Sequence, residues 1–530
     1  MPAAPIDKVI VTNLARLGEK YKAPGVTAIR TAVKNLIAAD AKRGIKTVLI
    51  DLSSASVMKN YKGAVVPAAD AGDPRANKEA IDQVFTSVNP SYLMLLGAPD
   101  VIPHQDLKNP VFSDQDTDEF ASSDLPYACD ATYSTIINKF LAPTRVVGRV
   151  PDLTNSNDPT YLVRLLGVAA NYVERPAKDY DAFLGITTET WQNSTDESLR
   201  AIFGSATGMK TVPPDGPPWS AADLGTRAHF INCHGAAGFH QFFGEPGDPL
   251  PVSHDATQLP GHIADGTILS AECCYGGDLY DPAIDGGQMG ICQTYLGNGA
   301  YACFVSSTIA YGPPSGNDQA DLLCQDFLKH VRAGASVGRA CLQARLDYVA
   351  RAVVMGGVDL KTVAQFGIMG DPSLTPVKSM QPVPHVMPKG AKAKSVGALA
   401  PALAAVARAA RVSRRATICE VARSILASTL VVAETAIKVA NKVPKNLESV
   451  ASQFGLEKAK VVSMPVLRGA AAKGLGGMVT KALSLGGAPS PTAVHTLMER
   501  RDTTSRAILI KGVEVIDYNG TYEAREFRSR

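Results

Sequence analysis

Two segments of the chain carry residue types able to break an acyl bond. His229-Phe230-Ile231-Asn232-Cys233-His234-Gly235-Ala236-Ala237-Gly238 is an apolar run that stops at His-Gly and enters a loop of small residues. Forty residues further on, Ile268-Leu269-Ser270-Ala271-Glu272-Cys273-Cys274-Tyr275-Gly276-Gly277 stops in the same abrupt way, this time at cysteine followed by glycines. A thiol needs a base or a cationic neighbour to ionise near neutral pH, and imidazole supplies either. If the two runs are neighbouring strands of a parallel sheet, His234 and Cys274 face each other at its carboxyl edge. Glycine beside each lets a backbone N–H approach a substrate carbonyl, and the N–H groups of Gly235 and Cys274 are the candidate oxyanion donors. Cys273 competes with Cys274. Strand side chains alternate, so only one of the two reaches the cleft, and Cys274, at the very end with glycine two positions later, is the better exposed. Either residue alone would more often be packing than chemistry; the pair, at two glycine-flanked strand ends, reverses that balance.

The elements that must position this pair read as alternating strands and helices over the first 378 residues. Apolar runs closed by turn residues at Gly44–Asp51 and Ser91–Gly97 suit strands buried on both faces. Further strands are expected at Thr144–Val147, Ala182–Ile186, Ala228–Asn232, Thr267–Ala271 and Ala302–Ser306. Helices are expected at Asn77–Val88, Tyr161–Val173, Gln319–Val331 and Val337–Val354. The class is α/β with a mainly parallel sheet, whose sites form at the carboxyl ends of strands. The 530 residues exceed a single core, and 45% hydrophobic against 19% charged residues excludes a wholly disordered chain. No run of about 18 uncharged apolar residues suggests a spanning helix. Nine cysteines without CxxC spacing argue against a disulfide framework or a structural zinc site. With no secretory pattern in MPAAPIDKVIVTNLARLGEKYK, a reducing cytoplasm is the simplest setting.

The His-Gly and Glu-Cys-Cys-Tyr-Gly pair resembles the caspase, legumain and gingipain clan of cysteine peptidases. In that clan His-Gly is followed by an acidic or amide residue, a small residue, Cys, any residue and Gly. Glu272, Cys273, Cys274 and Gly276 fill those places, so the resemblance also assigns the nucleophile to Cys274. Within the clan the chain looks most like gingipains, through Leu95–Pro103, Ser123–Tyr127, Val147–Pro151, Ser306–Ile309 with Pro313-Pro314, and Phe366–Leu374, in the family's order. The resemblance implies a caspase-like sheet flanked by helices, with an N-terminal α/β subdomain over 1–150 and a catalytic subdomain over 151–378. It implies an endopeptidase with a Cys-His dyad, acting on protein or peptide substrates. Asp124 fills the place of the aspartate at the base of the S1 pocket, which implies cleavage after Arg or Lys, since a carboxylate pairs with guanidinium by two charge-assisted bonds. The plainer reading is that Asp124 caps a turn before Pro126. Ser306, Ser307 and Thr308 are expected to line the substrate cleft. No cofactor is expected. Calcium, bound by gingipains, is considered for Asp114–Glu119, but that loop lacks the glycine and distal glutamate of an EF-hand and reads better as a solvated acidic loop. One of its carboxylates is an open candidate for orienting His234.

The remainder of the chain has a different character. Five prolines between Pro372 and Pro388, followed by Lys389–Lys394, mark a linker over 379–395. From Gln381 to Arg530 there are 23 Lys and Arg against 10 Asp and Glu, a balance of +13, while the preceding part carries 30 against 40, or −10. Residues 396–530 are expected to form a separate, basic and largely helical region, with two helices in Ala398–Val443. Arg408, Arg411, Arg414 and Arg415 crowd the first of these. Val466–Gly487 is Gly/Ala-rich with Arg468, Lys473 and Lys481, and a strand pair is expected at Ala507–Ile516 and Thr521–Phe527. Opposite charge on one tether favours docking of this region near the cleft. Arg411–Arg415 and Glu499–Arg501 are candidate pseudo-substrates, with release by a ligand or by self-cleavage. An independent module remains the alternative, binding nucleic acid or anionic membrane, although few aromatics are present for base stacking. A non-catalytic caspase-fold binding or signalling protein is the other reading, against which His234 and Cys274 stand.

Overall fold

The computed structural model describes residues 5–352, 354–378, 418–426, 429–467 and 490–530. The linker over 379–395, the arginines 408–415 and most of the Gly/Ala-rich segment lie outside the described residues.

The central sheet has ten strands, in the order Thr47–Asp51, Lys8–Thr12, Tyr92–Leu96, Val147–Val150, Phe366–Gly370, Ala302–Ser306, Ile268–Ala271, Ala228–Asn232, Phe183–Thr187 and Lys210–Thr211. The first five run parallel to one another, as do the last five. The two blocks meet in one antiparallel seam between Ala302–Ser306 and Phe366–Gly370. Apolar residues on both faces of these strands are covered by helices, including Leu14–Lys42, Pro74–Val88, Thr160–Asn171, Gln319–Arg332 and Val337–Arg351. Residues 1–150 and 151–378 therefore share one sheet, rather than each closing a sheet of its own. The two meet through a single registered pair, Met369 with Arg149.

The expected separate, largely helical C-terminal region is corrected by a second sheet. Its order is Tyr311–Gly312, Tyr522–Ser529, Ile508–Asp517, Ala493–Asp502, Lys460–Leu467, Leu430–Val432 and Val354–Met355. Both edge strands come from residues 311–355, so the region shares this sheet with the rest of the chain. The described part of Ala398–Val443 holds helical residues at 418–426 and then strands at Leu430–Val432 and Lys438–Ala440, in place of a second long helix. Their Ala/Val composition tolerates either state, and pairing with Lys460–Leu467 decides it. Glu434 accepts from the backbone N–H groups of Ile137 (3.0 Å) and Asn138 (2.7 Å). Glu514 accepts from Val358 N–H at 3.0 Å; a Cβ on Gly356 would lie 2.5 Å from its carboxylate, so only glycine permits this approach. No helix among the described residues is long and apolar enough to cross a membrane.

Candidate active site

The two chemistry-bearing strands are adjacent and parallel, with Ile231 in register with Ala271 and Glu272 N–H donating to Ile231 O at 2.9 Å. Extending that register places Asn232 beside Glu272 and His234 beside Cys274. Each strand thus ends in two same-facing residues, with a cysteine between them turned the other way. Cys273 is that inward residue on its strand: its Sγ lies 3.8 Å from Ile231 O. Cys274 instead receives Ala310 N–H on its Sγ at 3.2 Å. A Cβ on Gly235 would sit 1.8 Å from Cys274 O, so the glycine after His234 is required for the two strand ends to close together. Tyr275, immediately after the thiol, holds φ at 55°, a left-handed conformation costly for a bulky side chain. Its hydroxyl donates to Asp118 Oδ1 at 2.6 Å, which helps hold that turn.

His234 is buried, with Nε2 3.3 Å from Glu245 Oε2 and the ring edge-on to Trp191 at 4.6 Å. Its Nδ1 is buried and makes no side-chain hydrogen bond, and the Ser529 backbone adjoins the ring. Burial lowers the pKa of His234, opposed by Glu245. The hydrogen bond from His234 draws Glu245 down to about 2, and Thr190 Oγ1 also donates to Glu245 at 2.6 Å. Glu245 is the group that orients the imidazole. The sequence reading left this role open and offered the acidic loop for it; the glutamate lies instead in the loop after Gln241–Phe243, a hairpin strand that no periodicity announces.

Beside this pair lies a pocket filled by Arg530. Its guanidinium donates to Asn232 Oδ1 and Asp321 Oδ2, both at 2.6 Å, and lies 3.5 Å from Glu272 Oε2. It stacks 4.6 Å above the Trp191 ring, and Gly312 forms the wall, where a Cβ would lie 1.8 Å from Nη2. All three polar partners and Arg530 are buried. Burial first, then the neighbouring Asp321, push Glu272 well above the carboxylate range; Asp321 is also raised by burial, against the pull of Arg530. Two carboxyls so close cannot both ionise, so the pair holds a proton and presents one net negative charge. The main-chain oxygen of Arg530 meanwhile accepts from the N–H groups of Gly235 and Cys274, each at 3.3 Å. They are the two N–H groups that the sequence offered as candidate oxyanion donors.

The remaining candidates are placed elsewhere. Asp124 is not a pocket base: its carboxylate takes Arg149 Nε at 2.8 Å and Nη2 at 2.5 Å, plus His104 Nδ1 at 3.0 Å. Burial would raise its pKa, but Arg149 and His104 outweigh that and hold it well below the usual range. Ser306, Ser307 and Thr308 brace the nucleophile loop instead of lining the arginine pocket. Thr308 O accepts from Tyr275 N–H (3.0 Å), Ser306 O from Gly277 N–H (2.7 Å), and Ser307 Oγ donates to Ser122 O (2.5 Å). Ser307 does border a separate hollow of about 330 Å³ shared with His104 and Gly277, but none of the arginine-pocket residues lines it. In the acidic loop, Lys361 bridges Asp116 (2.6 Å) and Asp118 (2.9 Å), and Asp114 pairs with Lys460. A buried ammonium already occupies the carboxylates that calcium would need, so these residues do not fit a calcium site. Among the described residues no cluster of three or more His, Cys, Asp or Glu side chains could hold a metal ion.

Asn232, Glu272, Trp191 and Asp321 were not singled out as pocket residues from sequence. Strand parity was a usable signal for the first two, since a residue two positions before His234 or Cys274 must share its face. Comparison with known proteins adds little. No family model and no curated protein matches the chain. A solved structure described as "Structure of Protease" matches over 99% of this chain and 97% of its own, at 13% identity and a TM-score of 0.44.

Proposed function

We propose that this chain is a cysteine endopeptidase of the caspase-like kind, cleaving after a basic residue. The carrying observation is the convergence of two backbone N–H groups, Gly235 and Cys274, on one main-chain oxygen, that of Arg530, at the strand ends that bear the Cys274 thiol and the His234 imidazole. In this reading His234 Nδ1 takes the thiol proton and the sulfur attacks the scissile carbonyl carbon. The oxyanion rests on the two N–H groups. The C–N bond then breaks as the imidazolium protonates the leaving amine, and water, deprotonated by His234, hydrolyses the thioester. Glu245 stabilises the imidazolium and fixes its orientation. Asp321, with Asn232, Glu272 and the Trp191 face, selects Arg or Lys at P1, the role first expected of Asp124.

The test is hydrolysis of fluorogenic Arg, Lys, Asp and Asn peptides, together with labelling by an electrophilic arginyl peptide. Cys274→Ala should abolish both, and Cys273→Ala should leave both largely intact. His234→Ala should slow hydrolysis by roughly 100- to 10,000-fold, the usual contribution of a positioned base. A protein that binds the arginyl peptide but cleaves none of the four would be a binding module on this fold instead.

A further inference from the structure

Resting on the peptidase reading above, we propose that Arg530 is an inhibitor carried in the chain: the Tyr522–Ser529 strand presents it to the arginine pocket in the manner of a substrate, and the second sheet holds it there. The main chain supports this first. Arg530 N–H donates to Ala310 O at 3.0 Å, Ser529 is in antiparallel register with Tyr311, and Arg528 with Gly312. Three consecutive residues thus add an antiparallel strand beside the loop that follows Ser306, with a main-chain oxygen of the innermost between the two N–H groups. This is how an extended peptide docks on an open strand edge. The side chain supports it independently, since the guanidinium meets a matched acceptor on Asn232, one on Asp321 and the face of Trp191, and is wholly buried.

What separates this segment from a free substrate is its rear support. Ser529 Oγ donates to Ile508 O at 2.8 Å and accepts from Ile510 N–H at 2.7 Å, both on the neighbouring strand of the second sheet. Phe527 is buried against Tyr311, ring to ring at 5.1 Å. The strand is therefore pinned on both sides, and a substrate enters only after it leaves. Opposite charges meet at the surface where Lys460 pairs with Asp114, and in the buried pocket where Arg530 meets Asp321. Of the two basic clusters first considered, Arg411–Arg415 lies outside the described residues, while the Arg500 guanidinium is spent on Asp502 and Thr117.

The test uses the full chain with p-aminobenzamidine, a fluorescent cation that fits an arginine pocket, and a small arginyl amide substrate. Arg530→Ala should bind the amidine roughly ten-fold or more tightly than wild type, because a tethered competitor has been removed, and should hydrolyse the amide correspondingly faster. Arg530→Lys, which cannot serve Asn232 and Asp321 with two separate nitrogens, should fall between the two, and decides the matter by itself if the alanine variant does not fold. Tighter amidine binding without hydrolysis would uphold the inhibitory occupant while refuting the peptidase. Folded variants that bind the amidine no better than wild type would overturn the proposal.

Discussion

Two carboxylate–arginine sites among the described residues, at Asp124 and at Asp321, differ in where the arginine comes from. At Asp124 the partner is Arg149, 25 positions along the chain on a strand of the ten-stranded sheet. Its Nη1 is further committed to the carbonyls of Gly97 (2.8 Å) and Ile102 (2.7 Å). The Asp321 and Glu272 site takes an arginine from 209 positions along the chain, on the strand of another sheet, and leaves its Nε without a partner. The first is a closed structural pair. The second has surplus acceptors and a replaceable guest, which is what a recognition pocket requires. An aspartate in a family-like position is thus a poor guide to specificity until its own cation is known.

Several substitutions would break or sharpen that contrast. Asp124→Ala should cost the most, about 3–5 kcal/mol of unfolding free energy, since it strands a buried guanidinium. Denaturant melts would register this, and a stable variant with altered P1 preference would reverse the assignment of the two sites. Asp321→Asn, in the Arg530→Ala background, should do the opposite. It should lower kcat/KM for arginyl substrates by about 100-fold, near 3 kcal/mol, with a smaller change in stability. Glu272→Gln should change it only a few-fold, because that carboxyl already holds a proton. Glu245→Gln should slow turnover by roughly 10- to 100-fold and move the acid limb of the rate profile to lower pH. The direction follows from Glu245 raising the His234 pKa against burial. A pH-dependent effect on stability belongs to Glu434, lifted by burial to about 7 where it docks the second sheet on Ile137 and Asn138. A carboxyl raised on folding stabilises fully below its unfolded pKa, near 4.5, and that contribution is lost as pH rises through 7. Wild type should therefore lose about 1–2 kcal/mol from this group between pH 5 and 8, allowing for partial exposure, and Glu434→Gln should flatten that slope in thermal melts.

The strands around the candidate site were the most legible part of the sequence. Ala228–Asn232 and Ala302–Ser306 form with the expected bounds, because their short apolar runs give way to loops of small and polar residues. The N-terminal Lys8–Thr12 strand was passed over: it carries a lysine into the core, tolerable only because Asp40 and Asp371 meet it there. The hairpin partners Ile508–Asp517 and Tyr522–Ser529 were visible around Asn519-Gly520. Their destination was not, since nothing local to Arg528-Ser529-Arg530 announces that Asn232 and Asp321 wait hundreds of residues away. Composition fixed the sign of the attraction; only the tertiary fold chooses which arginine delivers it.

Burial pushes the Cys274 thiol up to about 12. Peroxide and alkylating agents consume thiolate, not thiol. In the proposed peptidase the resting nucleophile is accordingly held in the form that such reagents spare. Exposure to oxidants should inactivate Arg530→Ala well before wild type, so that whatever frees the cleft also limits how long the proposed activity lasts.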